Sequence, residues 1–311
     1  NASSLFLTLH SLKKSQQVDA VIISRGEIIE IGGSYRLPEI IAETGLKLIE
    51  VGTTNKTHKK DYSTALKGNP HAVVLKVHRS NFSISGFVDK VSIKELKVIA
   101  KEYGALVIHD IGSGLVVDKK FLEKKKISFF NNEQHVQDSL LDGADLVMFS
   151  GDKLFGSLQA GIIAGNEELV TNIKESPLFR TYRCSPIVNY ELQKTTGLYL
   201  SKKEGSIPLW HFLTLSYEEL LNRIKKISGV LDIKHTVEES YSLIGGGSMP
   251  DVKIPSPVIA IHTSIDTNLI SKLASLDIPI IPRIKDEKII FDLRSSFEID
   301  DELISNALKN L

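Results

Sequence analysis

The stretch Val147–Gly161 reads VMFSGDKLFGSLQAG, and within it Lys153 follows Ser150, Gly151 and Asp152 where an apolar run ends. A lone lysine after a strand is ordinarily a solvated turn residue. A second group changes that reading. In Ile108-His109-Asp110-Ile111-Gly112-Ser113-Gly114, Asp110 closes an earlier apolar run, and the glycines allow close backbone approach. Alone, Asp110 reads equally as a turn or helix-capping residue. Together, a lysine amine, a carboxylate and small residues suited to holding phosphate match the requirements of pyridoxal phosphate. The amine forms an imine with the cofactor aldehyde, and the carboxylate faces the pyridine nitrogen, keeping the ring an electron sink.

The elements between these groups must place them. Ala20–Ser24, Leu46–Val51, Ala72–Val77, Ala105–His109 and Leu146–Phe149 are rich in Val, Ile and Leu, and Pro38–Thr44, Ser92–Tyr103 and Gln134–Leu141 carry helical patterns. Near-continuous apolar strands separated by helices predict an α/β fold whose mostly parallel sheet is covered on both faces. Ligands in such sheets sit beyond the carboxyl ends of the strands. His78, Asp110 and Ser150–Lys153 all fall there. Past Ala164 come long helical stretches, 187–201 and 210–226, around Lys-Lys-Glu-Gly-Ser at 202–206. A smaller α/β portion follows, with strands near Val258–His262 and Lys288–Leu293 and a last helix from Asp300. The expected division is a large cofactor-binding unit over 1–195 and a small unit over 196–311. Gly245–Ser248 lacks a strand-then-helix setting and reads as a flexible turn.

Composition narrows the classes. With 311 residues, 42% of them hydrophobic, the chain can bury a substantial core. Lys+Arg and Asp+Glu are both 38, so a nucleic-acid partner would need a local patch or a further segment. Cys184, the single cysteine, excludes an internal disulfide and a multi-cysteine metal site, and fits a reducing cytoplasm. No apolar run approaches the roughly 20 residues of a membrane span, so no membrane role is expected. The opening Asn-Ala-Ser-Ser, without Met, reads as a fragment whose natural N-terminal part is absent.

FSGDKLFGSLQAGIIAG, VGTTNKT, ISRGEIIEIGGSYRLPEI and LKVHRSNFSISGF together resemble the bacterial selenocysteine synthase family, the L-seryl-tRNA(Sec) selenium transferases, across almost the whole chain. The resemblance implies an aspartate aminotransferase-like, fold-type-I pyridoxal 5′-phosphate enzyme. It makes Lys153 the cofactor-bound lysine, Asp110 the pyridinium partner and Ser150 a phosphate contact. Ala2 and Ser3 would join Ser150, because a helix N-terminus offers free N–H groups and a favourable dipole. Asn81 falls where related enzymes set a residue beside the cofactor's 3′-oxygen, with His78 close by; the other reading is a turn asparagine and a structural cap. Arg25 and Glu27, at the next strand exit, are expected to cover the ring face. The three-residue spacing of Arg180 and Arg183 predicts one shared helix face, and the resemblance makes them holders of the anionic selenium donor, selenophosphate.

The implied activity converts seryl-tRNA(Sec) to selenocysteinyl-tRNA(Sec) through a dehydroalanyl intermediate. The tRNA(Sec) would be engaged by the absent N-terminal part, in a homo-oligomer of at least two copies. Two departures stand out: Ser157-Leu158 where the family continues with a second glycine and a proline, and Cys184-Ser185-Pro186 where it has an apolar residue, Asp and Lys. Pro186 suits the first turn of a helix. The competing readings are a pyridoxal phosphate lyase, aldolase or desulfurase acting on a free amino acid, and a diverged non-catalytic relative.

Overall fold

The computed structural model describes every residue except 81, 132, 246, 250, 263–266 and 310–311. Two units emerge: Asn1–Glu204 with Gly245–Pro250, and Gly205–Ile244 with Asp251–Leu311. In the first, helices and strands alternate as α1 (Ala2–Ser15), β1 (Ala20–Ser24), a short hairpin of β2 (Glu30–Ile31) and β3 (Tyr35–Arg36), α2 (Leu37–Glu43), β4 (Lys47–Val51), α3 (Lys59–Gly68), β5 (Ala72–Val77), α4 (Ile93–Glu102), β6 (Val107–Gly112), α5 (Lys119–Lys124), α6 (Val136–Leu141) and β7 (Leu146–Ser150). Then come β8 (Gly161–Gly165), α7 (Glu167–Glu175), α8 (Pro177–Thr181) and α9 (Pro186–Leu200). Because α9 runs through the expected 195/196 division, the first unit closes only after it.

The six-stranded sheet has the order β4-β1-β5-β6-β7-β8, parallel except for β8, which runs antiparallel to β7. Successive side chains of a strand face opposite sides, and both sides are apolar here. Ala20, Ile22 and Val74 join Leu66, Leu96 and Ala100 of α3 and α4. Val21, Ile23, Val73 and Leu75 join Leu5, Leu9 and Leu12 of α1, Ile41 of α2 and Ile173 of α7. Burial on both faces explains the unbroken apolar runs. Local signals agree: Ser92 and Glu95 form a capping box that starts α4.

In the second unit, α10 (Pro208–Thr214) and α11 (Tyr217–Ser228) precede β9 (His235–Leu243), β10 (Lys253–Ile261), α12 (Thr267–Ala274), β11 (Arg283–Lys285), β12 (Lys288–Phe291) and α13 (Asp301–Lys309). The strands form an antiparallel sheet, β11-β12-β10-β9. The single helix expected over 210–226 is two, because extended Ser216 caps α11 through Glu219. Leu220, Ile224 and Ile227 of α11 pack on Ile259, Ile289 and Phe291, and Arg223 grips Asp301 at 2.7 and 2.9 Å. Among the described residues, no helix is long and apolar enough to cross a membrane.

Candidate active site

Three neighbouring parallel strands deliver the chemistry. Val77 at the end of β5 pairs with Asp110 of β6, and Asp110 pairs with Met148 of β7. The register slips between Asp110 and Gly112, an irregularity of the kind that re-aims a side chain. Gly112 absorbs it at φ +68°, where a side chain would be strained. Next door, the His78 N–H donates to the Asp110 carbonyl at 2.8 Å, and the Leu154 N–H to the Ser113 carbonyl at 2.9 Å. The lysine turn is thus stitched to the end of β6. Beyond these strand ends lies a cavity of about 380 Å³, lined among others by Asn1, Ala2, His78, Asp110, Ser150 and Lys153. That volume lies within the usual range for small-molecule sites. A wider recess of about 490 Å³ beside Asp118, His135 and Tyr199 contains none of the expected groups.

Asp110 is 4% exposed. Burial pushes its carboxyl up, against the Asn1 amide, the Lys153 charge and a backbone bond from Gly112, which favour the anion. The Asn1 Nδ2 donates to Asp110 Oδ1 at 2.6 Å. Asn1 occupies the N-cap position of α1, yet its side chain makes no capping bond; Ser4 Oγ holds it, 2.6 Å from the Asn1 carbonyl and 2.9 Å from Oδ1. Lys153 is half-buried, and its Nζ has no hydrogen-bond or ion-pair partner among the described residues. Gly247, from the segment read as a flexible turn, lies against it: a Cβ there would sit 3.1 Å from Lys153 Cε and 3.5 Å from Nζ. That segment is tied to the first unit by the Met249 N–H, which donates to the Ser80 carbonyl at 3.1 Å.

His78 reaches a carboxylate with no sequence signal. Its Nε2 is 3.1 Å from Glu133 Oε1, within ion-pair reach. The ring is not aligned for a hydrogen bond there, and Nε2 has none among the described residues. The Ser113 hydroxyl donates to the same Glu133 oxygen.

Other expected residues lie elsewhere. Arg25 is exposed, with Nε on Glu50 at 3.0 Å and Nη1 on the Gly52 carbonyl at 3.2 Å. Glu27 is buried, paired with Lys76, and accepts the Val77 N–H at 3.1 Å. Neither lines the cavity, because the 3₁₀ turn Arg25–Glu27 turns Glu27 into the interior and leaves Arg25 outside. Ala2 borders the cavity, whereas Ser3 is exposed and does not. Asn81 lies outside the described residues. Arg180 and Arg183 do not share a helix face: α8 ends at Thr181, and Ser185 caps a new helix with Pro186 in its first turn. Both arginines are exposed, with no ion pair among the described residues. Ser157, the other departure, accepts from the Thr195 hydroxyl at 3.1 Å, tying the lysine loop to α9.

Comparison with known proteins places this geometry. Residues 1–297 match the SelA family, L-seryl-tRNA selenium transferase. The chain belongs to this family. It is 40% identical over 320 residues to the L-seryl-tRNA(Sec) selenium transferase of Alkaliphilus oremlandii, covering all of this chain and 66% of that one. The Clostridium perfringens relative is 41% identical over 322 residues, with 100% and 67% covered, and that of Aquifex aeolicus 37% over 317 residues, with 100% and 68% covered. The chain therefore spans about two thirds of the length of these transferases. Among solved structures, D-glucosaminate-6-phosphate ammonia-lyase superposes with a TM-score of 0.63 at 17% identity, covering 99% of this chain and 79% of that one. That likeness is one of fold, and it agrees with the aspartate aminotransferase-like, fold-type-I architecture expected for the family.

Proposed function

We propose that this chain carries the catalytic portion of an L-seryl-tRNA(Sec) selenium transferase, which makes selenocysteinyl-tRNA(Sec) from seryl-tRNA(Sec) and selenophosphate with pyridoxal 5′-phosphate. The observation that carries the reading is the buried Asp110, gripped by Asn1, on the wall of the same cavity as Lys153 and Ser150. The donor set suits this cofactor: an acid for a cationic ring nitrogen, a lysine whose stem packs on a glycine, and the first turn of α1 beside Ser150 for a phosphate. When bound, the cofactor supplies an aldehyde for amines and a ring that accepts the electron pair released at the substrate Cα.

The protein's own groups do the rest. Asp110 holds the ring-nitrogen proton, and Asn1 keeps its carboxylate turned to that task. Lys153, as a neutral amine, takes the Cα proton at Nζ. Arg180 and Arg183, exposed and unpaired, supply two permanently charged forks for selenophosphate. Beside them α9 buries only Thr195, while Ile187 is 72%, Tyr190 64% and Leu200 81% exposed. These exposed apolar side chains support a homo-oligomer of at least two copies, in which a second copy would cover them. The tRNA is held by a portion of the full-length protein beyond this chain, in the cytoplasm.

The test is borohydride reduction of full-length protein loaded with pyridoxal phosphate, followed by peptide mapping. The adduct is expected on Lys153, and Lys153→Ala should retain neither the adduct nor selenium transfer. An adduct on another lysine, or folded wild-type protein that takes up no cofactor, overturns the reading.

A further inference from the structure

We propose that Glu133 is a positioning residue that fixes the His78 imidazole on the cavity wall, an inference that rests on the cofactor reading for its consequence though not for its geometry. Glu133 comes 55 positions after His78 in sequence. In space they meet: His78 lines the cavity at the end of β5, and Glu133 lies behind it with its side chain 6% exposed, 3.1 Å from Nε2. Both partners of this contact are shut away from water, since Nε2 is itself buried.

A buried carboxylate is costly unless it is paired and hydrogen-bonded. Among the described residues, the groups within reach of Glu133 are the Ser113 hydroxyl and His78 Nε2. Ser113 is fully buried and uses its carbonyl to hold the Leu154 N–H beside Lys153. One carboxylate therefore joins the loop after β6, the turn carrying Lys153 and the ring on the cavity wall. A rotation of the imidazole completes this bond, and it needs no ligand to do so. Once Glu133 accepts from Nε2–H, the tautomer of His78 is settled, because a hydrogen bond at one ring nitrogen decides the state of the other. A ring of settled plane and protonation is a better wall for a flat, anionic, aromatic ligand than one free to turn.

Two readouts on full-length protein test this. In cofactor-free protein, long-range ¹H–¹⁵N spectra should show His78 with its proton on Nε2, and Glu133→Leu should abolish that preference. In a pyridoxal phosphate titration, losing a charge-assisted bond should weaken affinity on the order of 10-fold or more. The same substitution in a His78→Ala background should change affinity less than about twofold, because the partner is already gone. Glu133→Gln, which keeps the shape and an acceptor oxygen, should restore most of the affinity, and it carries the test if the leucine variant does not fold. His78 spectra indifferent to Glu133, or an equal loss of affinity with and without His78, overturn the proposal. Wild-type protein that ignores the cofactor while His78 still answers to Glu133 would sink the functional reading and leave the pairing supported.

Discussion

Replacing Glu27 by leucine should unfold this protein more readily while removing no side chain from the cavity lining. The Glu27 and Lys76 side chains are 7% and 10% exposed, and Glu27 also accepts the Val77 N–H. Removing one member of a buried pair strands the other charge in a poorly solvating interior, at a cost of about 3–5 kcal/mol. The orphaned Val77 N–H adds about 1 kcal/mol or more. With a urea dependence of about 3 kcal/mol per molar, the midpoint should fall by roughly 1–2 M. Glu27→Leu/Lys76→Met removes both charges while keeping volume, and such replacements are often neutral or stabilising, so the double variant should recover most of the loss. Urea unfolding followed by circular dichroism measures the midpoints, and titration of folded protein measures cofactor affinity, expected to stay near wild type. A single variant costing under about 1 kcal/mol, or one that folds normally but loses the cofactor, would refute the reasoning and return Glu27 to the cavity.

Two further outcomes follow from buried groups near the site. Burial first, then the charges of Lys76, His78 and Lys90, push His109 well below its ordinary value. The unfolded chain therefore binds the proton first, and stability should fall as pH drops below about 6.5, by up to ~1.4 kcal/mol per unit; His109→Gln should flatten that slope in denaturant melts at pH 5–8. Gly151→Ala would set a Cβ 2.5 Å from the Leu158 carbonyl oxygen and 3.3 Å from Leu192 Cδ2. Thermal melts should show a loss of about 1–3 kcal/mol, and the displaced lysine turn should retain less cofactor; an unaffected variant contradicts the packing.

What the sequence makes legible here follows the range of the forces involved. Strands β1, β5, β6 and β7 are visible because burial on both faces makes their runs mostly apolar, the edge strand β4 because Leu48, Ile49 and Val51 still cluster, and α4 because its cap and first turn are neighbours in the chain. Strand β9, HTVEESYSL, is a half-exposed strand at the sheet edge without an apolar run, and it escapes notice. Lys153, Asp110 and Ser150 stand out because strand ends mark the ligand side of a parallel sheet. Asn1 and Glu133 do not, since each acts on a partner far away in sequence, across a contact that no period encodes. Arg25 and Glu27 mislead for the opposite reason: strand-exit position does not tell whether a short turn sends a side chain to the cavity, the core or the solvent. For Arg183, Pro186 already signals the start of a new helix, which breaks the face it would share with Arg180.

The place of Gly247 in the first unit has a consequence for how the protein is made. Lys153 and Asp110 leave the ribosome early, but Gly247, which packs on the lysine stem, follows only after β9 of the other unit has been synthesised. At about 5–20 residues per second, the roughly hundred residues between them take several seconds. Throughout that interval the nascent chain holds the Lys153 side chain with one wall of its cavity missing. Cofactor capture is then a late event in biogenesis, and a ribosome stalled between Lys153 and Gly247 should carry a chain that takes up pyridoxal phosphate weakly.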